Sequence, residues 1–332
     1  MADGEARGIW AMADLVTPMA VRVAATLRVA DHLAGGVRTA RELAAVTGAD
    51  AGVLERVLRH LVTEGVFSRD EDGRFGLTPR GEELRDGHPS GVRRMLDAES
   101  ALGRADLAFV ALLHSVRTGG AAFPQLYGRS FWDDVRADPE RTAGYDAQMG
   151  ADAAAWAEAV VSAFGWGALG RVVDVGGGNG TLLAALLTAY PGMRGTVFDQ
   201  PETVRAARAT LAAAGVADRG DAVAGDFFEA LPPGADGYVL SAILHDWDDD
   251  AARTILRRCA EAAGGHGRVL VMEKVGADGA SVHTGMDLRM LVYFGARERG
   301  VPELTELAAG AGLRVAGVHQ AGDLAVVEMV AA

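Results

Sequence analysis

The feature that most limits how this chain can fold is the segment Arg171–Gly180, an apolar strand pattern that runs into glycines. Residues 171–175 read Arg-Val-Val-Asp-Val, residues 176–180 read Gly-Gly-Gly-Asn-Gly, and a helical pattern follows over Thr181–Tyr190. Glycines at the end of a strand let a ligand reach bare backbone, because a β-carbon would block the approach. The helix behind them begins with unpaired N–H groups. The segment therefore predicts a nucleotide-like cofactor site between a strand and a helix.

The spacing of the glycines distinguishes between nucleotide-binding motifs. A dinucleotide fingerprint, G-x-G-x-x-G, that started at Gly176 would need a sixth-position glycine, and the chain has Thr181 there. A P-loop needs Gly-Lys-Ser/Thr, which does not follow. The pattern that is present, Asp174-x-Gly176-x-Gly178-x-Gly180, resembles motif I of the class I S-adenosylmethionine (SAM) methyltransferases.

Strand and helix patterns alternate along the second half of the chain. Strands are predicted at 171–175, 194–198, 221–224, 237–242 and 267–273, with helical patterns between them. The end differs, because the runs Arg314–His319 and Asp323–Val330 are joined by a tight turn at Ala321-Gly322. Such alternation implies a doubly wound parallel sheet, here with an antiparallel pair at its edge. The predicted fold class is α/β, a Rossmann-like class I methyltransferase domain with a mixed, mostly parallel sheet.

The first hundred residues have a different pattern, which predicts an α-helical, winged-helix-like domain. Apolar helices are expected over residues 9–34, a capping box starts a helix at Thr39-Ala-Arg-Glu42, and another helix spans Gly52–Glu64. An Asp72-Gly73 turn then joins two short strands. The order helix, helix, hairpin is that of a winged helix.

Charge argues against DNA binding by this domain. Residues 1–100 contain 13 Arg and no Lys against 16 Asp and Glu, and the whole chain has a formal net charge of −13. A DNA-binding face normally has an excess of basic residues. A winged-helix DNA-binding regulator therefore stays as an alternative only, and neither nucleic acid nor an anionic membrane is an expected partner.

Candidate cofactor residues follow successive predicted strands, at the edge where a doubly wound sheet binds its ligands. They are Asp174, Gly176, Gly178, Asp199, Gln200, Gly225, Asp226, Phe227 and Ser241. An acid about 20 residues after the glycines, here Asp199, suits a pair of ribose hydroxyls. Asp226 beside Phe227 suits an adenine, because the carboxylate can bind its amino group and the ring can cover its face. Each acid could instead cap a helix, and Phe227 could belong to the core.

The segment Ser241–Trp247 follows the fourth predicted strand and contains His245-Asp-Trp247. Together with motif I, the Gly225-Asp-Phe-Phe228 segment and the winged-helix N-terminus, it resembles the O-methyltransferases of the plant caffeic-acid and acetylserotonin type. Bacterial polyketide O-methyltransferases of the same family are similar as well. The resemblance covers nearly the whole chain and includes Phe131-Trp132-Asp133, Asp138-Pro139-Glu140 and Asp287–Leu291.

The resemblance implies an activity and a mechanism. The expected enzyme is a SAM-dependent O-methyltransferase that methylates an aromatic hydroxyl of a small secondary metabolite, of polyketide type, and releases S-adenosylhomocysteine (SAH). His245 corresponds to the family's general base, and Glu273 and Glu298 correspond to two acids beside it. A phenol of pKa about 10 is protonated at neutral pH, and a neutral imidazole of pKa about 6.5 can remove its proton. His245 could instead be a buried histidine without a catalytic part.

The resemblance also implies an acceptor pocket. Met149 and Met290 correspond to methionines that clamp the flat acceptor ring, with ordinary core packing as the alternative. Trp132 and Asp246 are further candidates for this pocket. One departure lies close to Glu298, because Gly300 stands where the family usually has threonine.

Further expectations concern domains and partners. Residues 1–100 are expected to form a winged-helix-like domain, 101–165 a helical connector, and 166–332 the SAM-binding catalytic domain. The resemblance implies that the chain forms a homodimer through the first of these domains. No cluster of histidines and acids indicates a metal site, so no metal is expected. Cys259 is the single cysteine, and the acidic Met1–Arg7 segment has no apolar core behind it. The expected location is the cytoplasm, with no membrane partner.

One alternative keeps the fold and changes the chemistry. Some relatives keep SAM but catalyse a hydroxylation, a decarboxylation or a pericyclic step without transferring the methyl group. The presence of His245, Glu273 and Glu298 argues against such a reaction here.

Overall fold

The computed structural model describes residues 8–276, 278–281 and 283–332. The chain divides into two compact units, the first ending at Leu107 and the second spanning Ala108–Ala332. The Met1–Arg7 segment, on which the expectation of no signal peptide depends, lies outside the described residues. The three-part division at residues 100 and 165 stays a prediction.

The first unit is helical with one short hairpin, as the sequence predicts. Its elements are α1 (Ile9–Ala13), α2 (Val16–Thr26), α3 (Val29–Ala34), α4 (Ala40–Thr47), α5 (Ala51–Thr63), β1 (Phe67–Arg69), β2 (Phe75–Leu77), α6 (Pro79–Glu82), α7 (Val92–Leu96) and α8 (Ala101–Leu107). The predicted capping box forms, because the Thr39 hydroxyl accepts the Glu42 N–H at 3.2 Å and the Glu42 carboxylate accepts the Thr39 N–H at 2.9 Å. Strands β1 and β2 pair antiparallel.

Helices α1 and α2 leave apolar side chains exposed. Ile9 is 81% exposed, Trp10 78% and Met12 74%. By length and composition alone, the stretch Ile9–Thr26 could cross a membrane, and only 11% of it is buried. It consists of two helices separated by Asp14 and Leu15. Exposed apolar side chains that follow one another so closely along two helices indicate an interaction site.

The second unit alternates strands and helices. Its elements are α9 (Leu112–Thr118), α10 (Phe123–Tyr127), α11 (Phe131–Arg136), α12 (Pro139–Ala163), β3 (Arg171–Val175), α13 (Thr181–Ala189), β4 (Arg194–Asp199), α14 (Pro201–Ala213), β5 (Gly220–Ala224), β6 (Gly237–Ser241), α15 (Asp249–Ala263), β7 (Arg268–Glu273), α16 (Thr284–Phe294), α17 (Val301–Gly310), β8 (Leu313–Ala321) and β9 (Leu324–Ala331). Short 3₁₀ turns span Ala108–Ala111, Trp166–Ala168 and Leu244–Asp246. Every strand predicted for this part of the chain forms, with ends that differ by no more than two residues.

The sheet topology fixes where a ligand can bind. The strands lie in the order β5-β4-β3-β6-β7-β9-β8. Strands β3 to β7 run parallel, and β9 and β8 close one edge as the predicted antiparallel pair. The strand order reverses between β3 and β6, and ligands of doubly wound sheets bind at the carboxyl ends of the strands at that point. The glycine loop after β3 and the His245 segment after β6 both lie there.

Helices cover both faces of this sheet because successive side chains of its strands point to opposite faces. Val172 belongs to one buried apolar cluster, together with Leu183 of α13. The next residue, Val173, belongs to a second cluster, together with Leu256 of α15. A sheet buried on both faces holds the carboxyl ends of its central strands rigidly, which suits a catalytic site.

Candidate active site

The loop after β3 contains glycines for two physical reasons. Gly176, Gly178 and Gly180 have φ angles of +70°, +58° and +77°, a region that side chains disfavour. A β-carbon on Gly176 would lie 2.6 Å from the side chain of Ile243. A β-carbon on Gly178, in contrast, would meet no atom within 4 Å. The space over Gly178 is therefore open to a ligand, and α13 begins directly behind it at Thr181.

Asp199, at the end of β4, is bonded to this loop. Its carboxylate accepts the Gly178 N–H at 2.8 Å and the Gln200 N–H at 2.6 Å. Burial raises the pKa of Asp199, and the two backbone hydrogen bonds oppose that rise. A carboxylate has about four lone-pair positions, so Asp199 keeps acceptor capacity for ligand hydroxyls. The structure thus brings the predicted ribose-binding acid to the glycine motif.

Asp174 is a buried acid without a partner. It is 2% exposed, and neither carboxylate oxygen has a hydrogen-bond partner among the described residues. A β-carbon on Gly177 would lie 2.5 Å from the Asp174 Cγ, so the glycine is what leaves room for this carboxyl group. Burial, together with the charge of Asp199, raises the pKa of Asp174 to about 7. Because an unpaired buried carboxylate is costly, its position indicates a cationic ligand group.

Gly225 and Asp226 follow β5. Gly225 is required by the ring of Phe198, which a β-carbon at this position would overlap. Asp226 is exposed, and its carboxylate accepts the Phe228 N–H at 2.9 Å, which holds the turn. The local role of Asp226 does not exclude the predicted contact with adenine, which stays a prediction.

Phe227 and Ser241 flank the glycine loop. The Phe227 ring lies 3.5 Å from the place that a β-carbon on Gly176 would occupy, and it meets Trp247 edge to face with ring centroids 5.7 Å apart. Ser241 is half-buried at the carboxyl end of β6, next to β3. Phe227 also packs against the second apolar cluster, as its alternative role in the core requires, so the cofactor contacts of both residues stay a prediction.

Helix α12 contributes residues that the sequence does not indicate as site residues. The Asp146 carboxylate accepts the Thr203 hydroxyl at 3.3 Å. Burial, with the charge of a neighbouring carboxylate, raises the pKa of Asp146 to about 6. Gly150 packs so tightly against the Asn179 amide of the glycine loop that a β-carbon would overlap it. Helix α12 thus forms a wall of the cofactor region.

The predicted base and its two acids come together after β6. His245 lies in the 3₁₀ turn Leu244–Asp246, and its Nδ1 is 3.0 Å from Glu273 Oε2 and 3.3 Å from Glu298 Oε1. The backbone N–H of His245 also donates to Glu273, at 3.3 Å. The other ring nitrogen, Nε2, lies 3.5 Å from Asp246 Oδ1. The glutamate side chains are 2% and 1% exposed, whereas the imidazole is 17% exposed and accessible to an acceptor.

These carboxylates change the protonation of the imidazole. Burial alone would lower the pKa of His245, but the charges of Glu273 and Asp246 and the close contacts with Glu273 and Glu298 hold it well above the usual 6.5. Burial raises the pKa of Asp246 to about 7, and the charge of His245 opposes that rise. The carboxylates therefore favour the protonated form of the imidazole, whereas the sequence predicts an ordinary histidine. The difference arises from the close approach of acids that are distant in sequence.

The same three side chains form a group that could hold a divalent cation. One ligand atom from each of His245, Glu273 and Glu298 lies within 4.8 Å of the others. The sequence does not indicate this cluster, because its members belong to three separate segments. The same distances place two carboxylates against Nδ1, and a carboxylate beside one ring nitrogen can fix the tautomer of a catalytic histidine.

Aromatic side chains from three helices form a wall. Trp132 of α11 stacks on Phe294 of α16, with ring centroids 5.5 Å apart and planes at 18°. Tyr145 of α12 meets Trp132 edge to face at 5.4 Å. Phe131 stacks on Tyr293 at 6.1 Å. The sequence predicts Trp132 as a pocket residue but does not indicate Tyr145.

The two predicted methionines lie on the helices that carry these rings. Met149 is four residues after Tyr145 on α12, and Met290 is four residues before Phe294 on α16. Residues four apart share a face of a helix, so each methionine lies on the same helix face as one aromatic residue of the wall. Met149 is half-buried and Met290 is 5% exposed.

The glycine at position 300, where the family usually has threonine, can be explained by steric crowding. A β-carbon there would lie 2.6 Å from the Gly279 carbonyl oxygen. The Gly300 N–H donates to the Glu303 carboxylate at 3.1 Å at the start of α17. A threonine would therefore require the Gly279 backbone to move, and the glycine leaves Glu298 in contact with His245.

Comparisons with known protein families and proteins find matches for both units of the chain. A model of the O-methyltransferase domain matches residues 109–314, and a model of the O-methyltransferase dimerisation domain matches residues 10–87. A 2,7-dihydroxy-5-methyl-1-naphthoate 7-O-methyltransferase of Streptomyces carzinostaticus is 54% identical, over 98% of this chain and 97% of its own length. The aclacinomycin 10-hydroxylase RdmB of Streptomyces purpurascens is 43% identical, over 94% of this chain and 85% of its own length.

A solved structure is similar over the full length. It is the crystal structure of an O-methyltransferase from neocarzinostatin biosynthesis in complex with SAM and 2-hydroxy-5-methyl naphthoic acid. The two chains are 53% identical, with a TM-score of 0.93, and the match covers 99% of this chain and 100% of the other.

Proposed function

Because the chain belongs to the O-methyltransferase family and has both its catalytic and its dimerisation domain, we propose that His245 is the base that activates an aromatic hydroxyl for methylation. The family matches and the full-length relatives confirm the predicted class I methyltransferase fold. They also confirm the predicted activity, SAM-dependent O-methylation of a small aromatic secondary metabolite. The observation that supports the role of His245 is its contact with two buried glutamates at the switch point of the sheet.

The groups that would hold SAM follow from the unpaired polar atoms of the site. The carboxylate of Asp174 suits the ammonium group of the methionine moiety, because it is buried and has no hydrogen-bond partner in the described part of the chain. Asp199 suits the ribose hydroxyls, and the open space over Gly178 admits the ligand. When bound, SAM supplies an electrophilic methyl group on a sulfonium. Asp226 and Phe227 remain the proposed contacts of the adenine.

The base acts through the acids that hold it. Glu273 and Glu298 bind the Nδ1 side of the His245 ring, so Nε2 is the nitrogen that takes the proton of the acceptor hydroxyl. Because these carboxylates stabilise the imidazolium, they narrow the gap between its pKa and that of a phenol. Each pKa unit by which the gap narrows makes the proton transfer about 1.4 kcal/mol more favourable. The imidazole must be neutral before it can accept that proton, so the carboxylates that stabilise the imidazolium also oppose formation of the neutral base.

The aromatic wall supports a flat, polycyclic acceptor. Trp132 and Phe294 present stacked rings, and Met149 and Met290 share helix faces with members of the wall. Thioethers and aromatic faces suit a planar apolar ligand. We propose a phenolic polyketide of naphthoate size, since the relative from S. carzinostaticus is named for a dihydroxynaphthoate.

Identification of the product tests the proposed reaction. The protein should be incubated with SAM and a panel of hydroxynaphthoic acids, and the products analysed by mass spectrometry. We expect one acceptor hydrogen to be replaced by methyl, with one SAH formed per turnover. One relative is named as a hydroxylase, so a product that gains oxygen, or loses carbon dioxide, without a methyl group would instead favour the non-methylating alternative.

We also propose that the enzyme is a cytoplasmic homodimer. The exposed apolar side chains of α1 and α2 lie largely within the region that matches the dimerisation domain, so a second copy is the partner that best accounts for them. Contact with a second copy also explains why Ile9–Thr26 is apolar, and the explanation does not require a membrane. The single cysteine, Cys259, is buried and free, as is common in reducing compartments.

Cofactor affinity should depend on pH. Asp174 has a pKa raised to about 7 in the free protein, and a cationic ligand requires its ionised form. Affinity for SAM should therefore fall as the pH drops through this value, with the dissociation constant rising roughly 20-fold between pH 7.5 and pH 5.5. Calorimetric titration in buffers of different ionisation enthalpy would also count the protons that binding releases.

The matched variant for this prediction is Asp174→Asn. It keeps the shape of the side chain and removes the titration, so its weaker affinity should be nearly independent of pH over the same range. A wild-type dissociation constant that is equal at both pH values would contradict the assignment of Asp174 to the ammonium group.

Removal of metal ions should leave the rate unchanged. The distances from His245 Nδ1 to Glu273 and Glu298 suit an imidazole that is held directly by two carboxylates, which needs no cation. The measurement is kcat after dialysis against EDTA and again after addition of Mg²⁺ or Zn²⁺. A loss of activity that either ion restores would show that the three side chains hold a metal.

A further inference from the structure

Arg299 is buried beneath the segment that carries the base. Its side chain is 1% exposed, an uncommon environment for a guanidinium. It donates from Nη1 to the Leu244 carbonyl at 2.6 Å and from Nη2 to the Trp247 carbonyl at 2.7 Å. Its Nε and Nη2 donate to the Asp249 carboxylate at 3.0 and 2.8 Å. All of its hydrogen-bond partners among the described residues thus lie within Leu244–Asp249.

The two carbonyl groups bracket His245. Leu244 precedes the base, and Trp247 follows it by two residues, so one planar group joins both sides of the 3₁₀ turn. The residue next to Arg299 in sequence is Glu298, whose carboxylate lies 3.3 Å from His245 Nδ1. The Glu298-Arg299 pair therefore contacts the ring of the base with one side chain and its backbone with the other.

On the basis of the proposed function, we propose that Arg299 is a positioning residue, which holds the His245 turn so that the imidazole meets Glu273 and Glu298. The guanidinium is suited to this role because its donors have a fixed fork geometry and reach two carbonyls and a carboxylate at once. A lysine has one nitrogen and cannot reproduce that arrangement.

Stability alone does not account for this arginine. Burying a charge is unfavourable unless it is fully paired, and apolar replacements of buried ion pairs are often as stable. The only carboxylate that Arg299 contacts among the described residues, Asp249, has a side chain that is 45% exposed. In this position the arginine instead forms hydrogen bonds to the backbone around the base, and these bonds fix the position of the His245 turn.

The chain offers a matched control in Arg297. Arg297 contacts the same Asp249 carboxylate, at 3.1 and 3.4 Å, but its side chain is 51% exposed and it has no bond to the Leu244 or Trp247 carbonyl. The variant R297M removes an ion pair with Asp249 and leaves the base turn held. R299K keeps the charge and removes the forked set of donors of the guanidinium. D249N weakens the contacts of both arginines with residue 249, whose side chain is partly exposed.

The experiment combines kinetics with a titration that does not need turnover. For each full-length variant we would measure kcat, the KM of the acceptor, the SAM dissociation constant and the thermal midpoint. The pKa of His245 would be measured by NMR on protein labelled with ¹³C in the histidine rings, with H245Q to assign the signal. We expect R299K to bind SAM as the wild type does, with KM unchanged and kcat lowered roughly 10- to 100-fold.

The titration should separate positioning from stability. In R299K the His245 pKa should move down toward 6.5, because the ring loses its close contact with Glu273 and Glu298. R297M should match the wild type, and D249N should show the same changes as R299K to a smaller degree. A lower thermal midpoint with an unchanged kcat and titration would overturn the proposal.

Two further outcomes are decisive. If R299K does not fold, then D249N decides, and a D249N protein that is indistinguishable from R297M in kcat and titration would overturn the proposal. If the wild type transfers no methyl group, the proposed function fails, and the titration of R299K against the wild type still decides whether Arg299 positions the ring.

Discussion

Replacement of His245 by alanine is expected to lower kcat for methyl transfer roughly 100- to 10,000-fold and to leave the SAM dissociation constant unchanged. The variant removes an imidazole that contacts both buried glutamates through one ring nitrogen and keeps the other ring nitrogen free of them. SAM affinity should persist because the proposed cofactor contacts are on Asp174, Asp199 and the glycine loop. Steady-state kinetics and calorimetric titration would measure the two quantities on the same preparation.

The pH profile gives this prediction its control. Because the pKa of His245 is raised well above 6.5 and the base must be neutral, the wild-type kcat/KM should rise with pH through a value above 6.5. The residual activity of His245→Ala should lack that step. His266→Ala, at an exposed histidine, should behave as the wild type. Full activity in His245→Ala would remove the histidine from the mechanism.

Replacement of Asp199 by alanine is expected to raise the dissociation constants of both SAM and SAH by roughly 100-fold or more. Hydrogen bonds to a charged group contribute about 1.5–3 kcal/mol each, and Asp199 is proposed to accept two ribose hydroxyls. It also accepts the Gly178 and Gln200 N–H groups, so its loss loosens the glycine loop itself. Calorimetry with SAH measures the effect without turnover.

A surface acid provides the comparison for Asp199. Asp221 lies on the adjacent strand, has a side chain that is 67% exposed and pairs with Arg208 at 3.2 Å. Asp221→Ala removes the same charge and should leave both dissociation constants unchanged. An Asp199→Ala protein that binds SAH as tightly as Asp221→Ala does would show that the ribose is held by other residues.

Much of the fold could be predicted because short stretches of sequence determine the secondary structure there, without contacts to distant residues. The strands β3 to β7 were predictable because each is a short apolar run that ends in glycine or a polar residue, and the intervening segments have helical periodicity. The Thr39-Glu42 capping box forms because it needs only residues three apart. The positions of Asp174, Asp199 and His245 followed from the rule that parallel strands end on one edge.

The remaining features of the site depend on contacts between distant residues. Asp146 and Gly150 lie in a long alanine-rich helix, and nothing in the local pattern indicates that they reach Thr203 and Asn179. Arg299 reads as a surface residue, since arginine is seldom buried. The raised pKa of His245 likewise depends on how closely the acids pack around it, which residue identities alone do not specify.

Helix α12 has a consequence for how the two ligands influence each other. It borders the proposed cofactor region through Gly150 and Asp146 and carries Tyr145 and Met149 of the acceptor wall. A ligand that fixes this helix in place removes part of the ordering that the other ligand would otherwise have to achieve. Linkage is reciprocal, so the factor by which SAM tightens the acceptor equals the factor by which the acceptor tightens SAM. The same helix couples the two products, and the departure of either one weakens the hold on the other.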